Sequence, residues 1–380
     1  MTKITAESLL DMAVEKQASD IYITFGFPPA LRVEDTTEKV GDEALDDITI
    51  KELASSLLSE DQMDEFDTTH ELNTSFQWND KARYRLNAFR QQGHMALVLR
   101  RIVTAIPKLE ELNLPIVYKD LVMMKRGLII VVGQTGSGKS TSLAAMIGYR
   151  NANGTGHIIT VEDPVEFLHN HDQCIISQRD VGVDTYSFGM ALKNTLRQHP
   201  DVIMIGEIRD RETMEHAIHF AETGHLCMAT LHANNSSQAI ERVLNFFNET
   251  EHQQILLNLS LNLRAVLSQR LVPNTRQRNS IAVEVLLNEG LIRDLIHEGK
   301  IRDIKDVMAK NKERGMQTFD QALLELYKNK MITKDTALAE SDNPANLSLW
   351  IKQLEIGSRV VLPIDLNSNV PGASGDGNVF

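Results

Sequence analysis

The sequence predicts an α/β protein with an N-terminal α+β domain, a larger domain built on a buried and mainly parallel sheet, and a helical C-terminal region. Three observations predict it. The first hundred residues hold short alternating strands among helices. Between residues 127 and 286, five apolar, β-rich runs mostly alternate with helical segments. From 290 to 354 the periodicity is helical throughout. Alternation of helices with continuously apolar strands is the pattern of a sheet covered on both faces.

Residues 5–17 space Leu9, Leu10, Ala13 and Val14 for one helix face. Residues 20–24 and 30–33 read as strands around the turn residues Gly26, Pro28 and Pro29. Helices are expected at 49–59 and 61–67, then strands at 73–78, 82–90 and 94–102. In the second of these strands Tyr84, Leu86 and Ala88 alternate with Arg83, Arg85 and Asn87. The first domain is expected at 1–104, with a linker at 105–118 that carries Pro107 and Pro115. In the core, 119–289, strands are expected at 127–132, 157–161, 202–206, 226–230 and 281–286. The helices between them are expected at 138–150, 187–198, 211–222, 236–246 and 252–269. The helical region spans 290–354. The tail, 355–380, turns to Gly, Ser, Asn and Asp and is expected to be disordered from 367.

The formal net charge of −13 argues against a nucleic-acid partner, which needs a basic face. Cys174 and Cys227 are too few for a disulfide framework or a four-cysteine zinc module, and they suit a reducing compartment. No run approaches the ~18 apolar residues of a membrane span, and the start lacks the apolar core of a signal peptide. A cytoplasmic protein without direct membrane insertion is expected, any membrane contact passing through partners.

The chemistry is concentrated where strands end. Gly133, Gln134, Thr135, Gly136, Ser137, Gly138, Lys139 and Ser140 form the G-x-x-x-x-G-K-[ST] phosphate loop, and Thr141 follows. Glycines let consecutive N–H groups turn inward around phosphate oxygens, and the helix that follows adds its positive end. Lys139 supplies a point charge for the β- and γ-phosphates, and the Ser140 hydroxyl can ligate Mg²⁺. The loop follows an apolar strand and opens a helix, so ATP and Mg²⁺ are the expected ligands. Pro164 stops the next strand and leaves Glu162 and Asp163 at its carboxyl end. A third strand runs toward Glu207, which could hold the Mg²⁺ shell or position water, with Gly206 where many such enzymes place an aspartate. His225 opens a fourth strand and His232 lies past its end, placed to sense a γ-phosphate.

The loop, then VEDPVEF, LRQHPDVIMIGEIRD and AETGHLCMATLHANN, resembles the Walker A, Asp box, Walker B and His box of the secretion-ATPase superfamily, in that order. The segment GMQTFDQAL resembles its type IV pilus retraction branch, the PilT/PilU family. TGHLCMATLHANN and the long tail resemble the PilU type more than the PilT type. The resemblance implies a PAS-like N-terminal domain and a RecA-like P-loop ATPase domain. It implies a homohexamer with ATP sites between subunits, an accessory motor for pilus retraction at the inner face of the cell membrane. The implied partners are a PilT-type ATPase and an inner-membrane pilus platform protein. By the same resemblance Glu162 activates the attacking water, Glu207 stands near Mg²⁺ and His232 near the γ-phosphate. Arg83 and Arg100 match arginines that reach a neighbour's nucleotide. Residues 291–298 follow the PilT helix motif AIRNLIRE only in part, and His199 stands where PilT relatives often carry an acid.

Rival readings fare unevenly. An extension ATPase would carry the four-cysteine module, and a GTPase would carry Asn-Lys-x-Asp, which is absent. A primary PilT-type ATPase and a nucleotide-gated structural ring subunit with little turnover stay open at this point.

Overall fold

The computed structural model describes residues 4–34, 36–79, 81–102, 106–276 and 278–356. The expected domain end at 104, the start of the linker and the tail expected to be disordered from 367 lie outside the described residues. In chain order the structure begins with α1 (Ala6–Glu15), β1 (Asp20–Ile23), β2 (Ala30–Val33), β3 (Thr36–Lys39), α2 (Asp47–Leu57) and α3 (Glu60–Thr69). There follow β4 (Glu71–Trp78), β5 (Ala82–Gln91), β6 (His94–Ile102), α4 (Val117–Val122), β7 (Gly127–Val132) and α5 (Lys139–Asn153). Next come β8 (Gly156–Glu162), β9 (Cys174–Asp180), α6 (Phe188–Thr195), β10 (Val202–Ile205), α7 (Arg211–Glu222), β11 (Leu226–Leu231) and α8 (Ser236–Leu244). The chain continues through α9 (His252–Asn262), β12 (Leu263–Pro273), β13 (Asn279–Leu287), α10 (Leu291–His297) and α11 (Ile304–Ala309). It closes with α12 (Phe319–Lys328), α13 (Lys334–Ala339) and α14 (Pro344–Glu355).

Two compact units emerge. The first comprises Met1–Ile106, Ile159–Asn170 and Ile176–Thr195. Its antiparallel sheet runs β3-β2-β1-β6-β5-β4. The alternation read in β5 is realised: Tyr84, Leu86 and Ala88 are buried with Leu97 and Leu99 of β6, Ile21 and Ile23 of β1, and Leu9, Leu10 and Ala13 of α1. The opposite face carries Arg83 and Arg85. Helix starts are fixed by side-chain caps, Thr5 for α1, Asp46 for α2 and Ser59 for α3.

The second unit comprises Pro107–Ile158, His171–Ile175 and Leu196–Phe380. Within it the strands run β13-β12-β7-β11-β10. β10, β11, β7 and β12 are parallel, and β13 closes the edge antiparallel to β12. Every residue of β7, β10 and β11 is buried, as the continuous apolar runs require. The opening of β8 lies beside that of β10. His157 donates its N–H to the Asp201 carboxylate at 2.8 Å, and the Asp201 N–H donates to the His157 carbonyl at 2.8 Å. The C-terminal helices pack Phe319, Leu323, Trp350 and Ile351 against Val272 and Ala282 of the β12–β13 pair.

One element differs in kind from the sequence reading. The helix expected at 252–269 ends at Asn262, and residues 263–273 form β12. Leu256, Leu259 and Leu263 keep helical spacing across the junction, so periodicity alone runs through it. Pairing to both β7 and β13 decides the outcome, because a central strand satisfies its backbone on two sides. β3 and β9 were also absent from the reading; all four residues of β3 are exposed, so it carries no alternation to read.

Candidate active site

The phosphate loop joins β7 to α5. Gly136 and Gly138 have φ of +77° and +86°, left-handed conformations that favour glycine. A Cβ at Gly133 would overlap the Ser137 hydroxyl and stand 2.5 Å from the Gln269 carbonyl oxygen of β12. α5 starts without a side-chain cap and without an acid in its first turn. Its leading N–H groups are therefore left for an anion. The Ser137 hydroxyl is buried with no hydrogen-bond partner. Lys139 Nζ donates to the Gly133 and Gln134 carbonyls, each at 2.9 Å. Open donors, bare glycines and a lysine form a cradle that fits a phosphate chain. The hard oxygens of Ser140 and Glu207 are of the kind Mg²⁺ accepts alongside phosphate oxygens.

β7, β11 and β10 are successive parallel strands, so the residues that follow them emerge at one end of the sheet. This brings Glu207 and His232 together. His232 Nε2 lies 2.8 Å from Glu207 Oε1, and Arg209 holds Glu207 Oε2 at 2.7 Å. The Thr230 hydroxyl donates to the Gly206 carbonyl, and the Ile208 N–H donates to the Thr230 carbonyl at 2.9 Å, which ties the two strand ends together. Gln134 Nε2 reaches Asn234 Oδ1 at 3.4 Å and bridges the phosphate loop to the segment after β11. A cleft of about 520 Å³ opens between Gly133, Gly136 and Ser137 on one side and Arg270 and Asp342 on the other.

Glu162, Arg83 and Arg100 stand in the first unit. Glu162 ends β8 and is buried. The Thr160 hydroxyl donates to its Oε1 at 2.7 Å. Burial pushes its carboxyl up from 4.5 to about 7, against the opposing pull of the Thr160 and Gln178 hydrogen bonds. Arg83 is 13% exposed and pairs at 2.8 Å with Asp180, which is 2% exposed, and it also donates to Ser75 Oγ at 2.7 Å. Arg100 pairs with Asp20 at 2.8 Å, yet its side chain is 68% exposed. Arg85, exposed and directly opposite Arg100 across the β5–β6 ladder, was given no role in the sequence reading. Its place on the Arg83 face was visible in the alternation; the partner that sequesters Arg83 was not, because Asp180 lies 97 residues away. Arg209, Gln269 and Arg270 were passed over too. The last two fall in or just past the misread helix, and Arg209, two residues after Glu207, was within reach of the motif.

The two arginines differ in what their loss does to the fold. Arg83→Ala leaves a buried carboxylate unpaired and is expected to lower stability by about 3–5 kcal/mol. Arg100→Ala takes a mostly solvent-exposed guanidinium from Asp20, whose carboxylate is 4% exposed and keeps the Ser19 hydroxyl at 2.8 Å, and is expected to cost less, about 1–2 kcal/mol. Thermal melting of both variants checks this; equal melting temperatures would deny Arg83 its internal role.

A parallel sheet with a phosphate loop and convergent acid and histidine at its strand ends defines a P-loop ATPase. Residues 2–289 match the family described as Type II/IV secretion system protein, and the chain belongs to that family. It is 52% identical to the type IV pilus ATPase PilU of Pseudomonas aeruginosa over 91% of each chain. It is 36% identical to the PilT retraction ATPase of the same organism, over 89% of this chain and 98% of that one. The fold is similar to the crystal structure of the pilus retraction motor PilT and bound ADP, with a TM-score of 0.85 and 38% identity, covering 91% of this chain and 99% of that one.

Proposed function

We propose that the chain is a hexameric ATP-hydrolysing motor of type IV pilus retraction, acting as an accessory PilU-type ATPase. The carrying observation is the 52% identity to a PilU over nine-tenths of both chains, against 36% to a PilT. Its proposed partners are further copies of itself, a PilT-type ATPase and the inner-membrane platform protein, met from the cytoplasmic side. Among the described residues no helix is long and apolar enough to cross a membrane.

In this reading the loop N–H groups from Gly133 to Thr141 and Lys139 hold the β- and γ-phosphates. Ser140 and Glu207 hold Mg²⁺, which supplies charge neutralisation on those phosphates. Glu162 takes a proton from the water that attacks the γ-phosphorus, and ADP departs. A carboxyl that titrates near neutrality suits a general base at cellular pH. His232 holds Glu207 Oε1 and so couples the γ-phosphate side of the site to the metal-binding carboxylate. Arg100, and Arg85 beside it, reach the nucleotide of the adjoining subunit and stabilise charge that develops in transfer. Arg83 holds Asp180. Steady-state phosphate release measured with molecular mass in solution tests the reading: Mg²⁺-dependent turnover by a six-subunit species is expected, and a monomer of full activity would contradict it.

A further inference from the structure

Glu207 is held at both carboxylate oxygens. Arg209 Nε donates to Glu207 Oε2 at 2.7 Å, and Nη2 of the same guanidinium lies 2.7 Å from that oxygen. A carboxylate oxygen offers about two lone pairs, so this fork fills Oε2. His232 Nε2 stands on the other oxygen at 2.8 Å. The backbone on both sides of Glu207 is tied down. The Gly206 carbonyl accepts the Thr230 hydroxyl, and the Ile208 N–H donates to the Thr230 carbonyl at 2.9 Å. The Ile208 side chain is buried. Just past Arg209, the Asp210 carboxylate accepts the Thr213 N–H at 2.8 Å and caps α7. The member of this group that moves most easily is therefore the Arg209 side chain. It is 59% exposed, against 19% for Glu207, so water can take up its charge when it lets go.

We infer that Arg209 competes with Mg²⁺ for the Glu207 carboxylate and so sets how strongly nucleotide binding depends on the metal. The inference rests on the proposed assignment of Glu207 to Mg²⁺. A divalent ion brought to this carboxylate, directly or through a water, meets the guanidinium charge on the same group, and the two cations repel. The metal also binds the phosphate oxygens it arrives with, so the exposed guanidinium is the one to yield. Arg209 turns outward to solvent as Mg²⁺ enters with ATP, and it returns to Oε2 as the metal leaves with ADP. His232 keeps its place, because its bond is to the other oxygen. Arg209 is in this sense a positioning residue. It holds the carboxylate at the strand end and weakens the hold on the metal.

The test is the factor by which Mg²⁺ tightens binding of a fluorescent, non-hydrolysable ATP analogue to the full-length chain, titrated in Mg²⁺ and in EDTA. The metal's affinity for the free analogue is common to all variants and cancels between them. Arg209→Ala is expected to raise that factor at least about threefold, the scale of a forked ion pair with one partner exposed. Its melting temperature should match the parent's. Glu207→Gln should lower the factor. Arg209→Ala added to Glu207→Gln should change nothing further, because the arginine acts only through the carboxylate. A factor in Arg209→Ala at or below the parent's overturns the inference. So does a rise that persists in the double variant, which would make Arg209 a distant charge and not a competitor. Both of those results leave Glu207 on the metal. A Glu207→Gln chain with the parent's factor overturns the inference and the assignment of Glu207 to Mg²⁺ together.

Discussion

Lys139→Ala is expected to fold normally, bind ATP more weakly and lose hydrolysis, with kcat down by at least about 10³-fold. Nζ rests on the Gly133 and Gln134 carbonyls, which belong to the loop that would take the phosphates. Those bonds hold the ammonium at the cradle while no residue of the hydrophobic core depends on it. The methyl of alanine leaves β7 and α5 untouched, so the melting temperature should stay within a few degrees. What disappears is a mobile cation for the β- and γ-phosphates, and transfer builds charge there that the remaining N–H dipoles cannot match alone. Nucleotide titration and single-turnover hydrolysis together check this. Turnover near that of the parent would remove Gly133 to Thr141 as the working site.

Glu162→Gln is expected to separate binding, stability and turnover. ATP affinity should stay within a few-fold while kcat falls by about 10²–10⁴, because a neutral amide cannot accept the proton of the attacking water. The stability change has a definite sign. Below pH 4.5 the carboxyl is protonated in both folded and unfolded chains and contributes nothing. Between 4.5 and about 7 the unfolded chain releases its proton and the folded chain holds it, so folded stability falls as pH rises. Above about 7 the full cost of the buried charge, about 3 kcal/mol, is present. Glutamine carries no such cost, although its single amide oxygen can serve only some of the donors now on the carboxylate, the Thr160 hydroxyl, the Gln178 side-chain amide and the Glu166 N–H. The melting temperature of the variant relative to the parent should therefore be higher at pH 8 than at pH 5. In the parent, kcat/KM should decline as pH drops below about 7, when the base takes up its proton. A melting difference that does not change with pH would show that the carboxyl is not buried as described.

How much of this was legible depended on whether a residue's partner was near in sequence. The phosphate loop was legible because strand, glycines, lysine and helix are contiguous, and apolar runs such as residues 127–132 admit one reading next to it. Glu207 and His232 could be placed at strand ends one by one. Their direct contact could not, since it depends on β10 and β11 being parallel neighbours. β12 was misread because Leu256, Leu259 and Leu263 continue a helical stripe past Asn262, and only the pairing with β7 and β13 breaks it. Gln269 was lost with it, although its side chain ties Tyr118 to Ser142 beneath the phosphate loop at 3.0 and 2.8 Å. Arg83 and Arg85 are indistinguishable by alternation; a buried aspartate from β9 separates them.

The central claim is that ATP is hydrolysed between subunits, with the phosphate loop of one and Arg100 of the next. Mixing Arg100→Ala chains with Lys139→Ala chains tests it most directly, since each variant alone is expected to be nearly inactive while mixed interfaces recover both intact halves. Phosphate release should rise in the mixture to a fraction of the parent rate and peak near equal proportions. Co-assembly confirmed by mass, with no recovery at any ratio, would contradict a shared site.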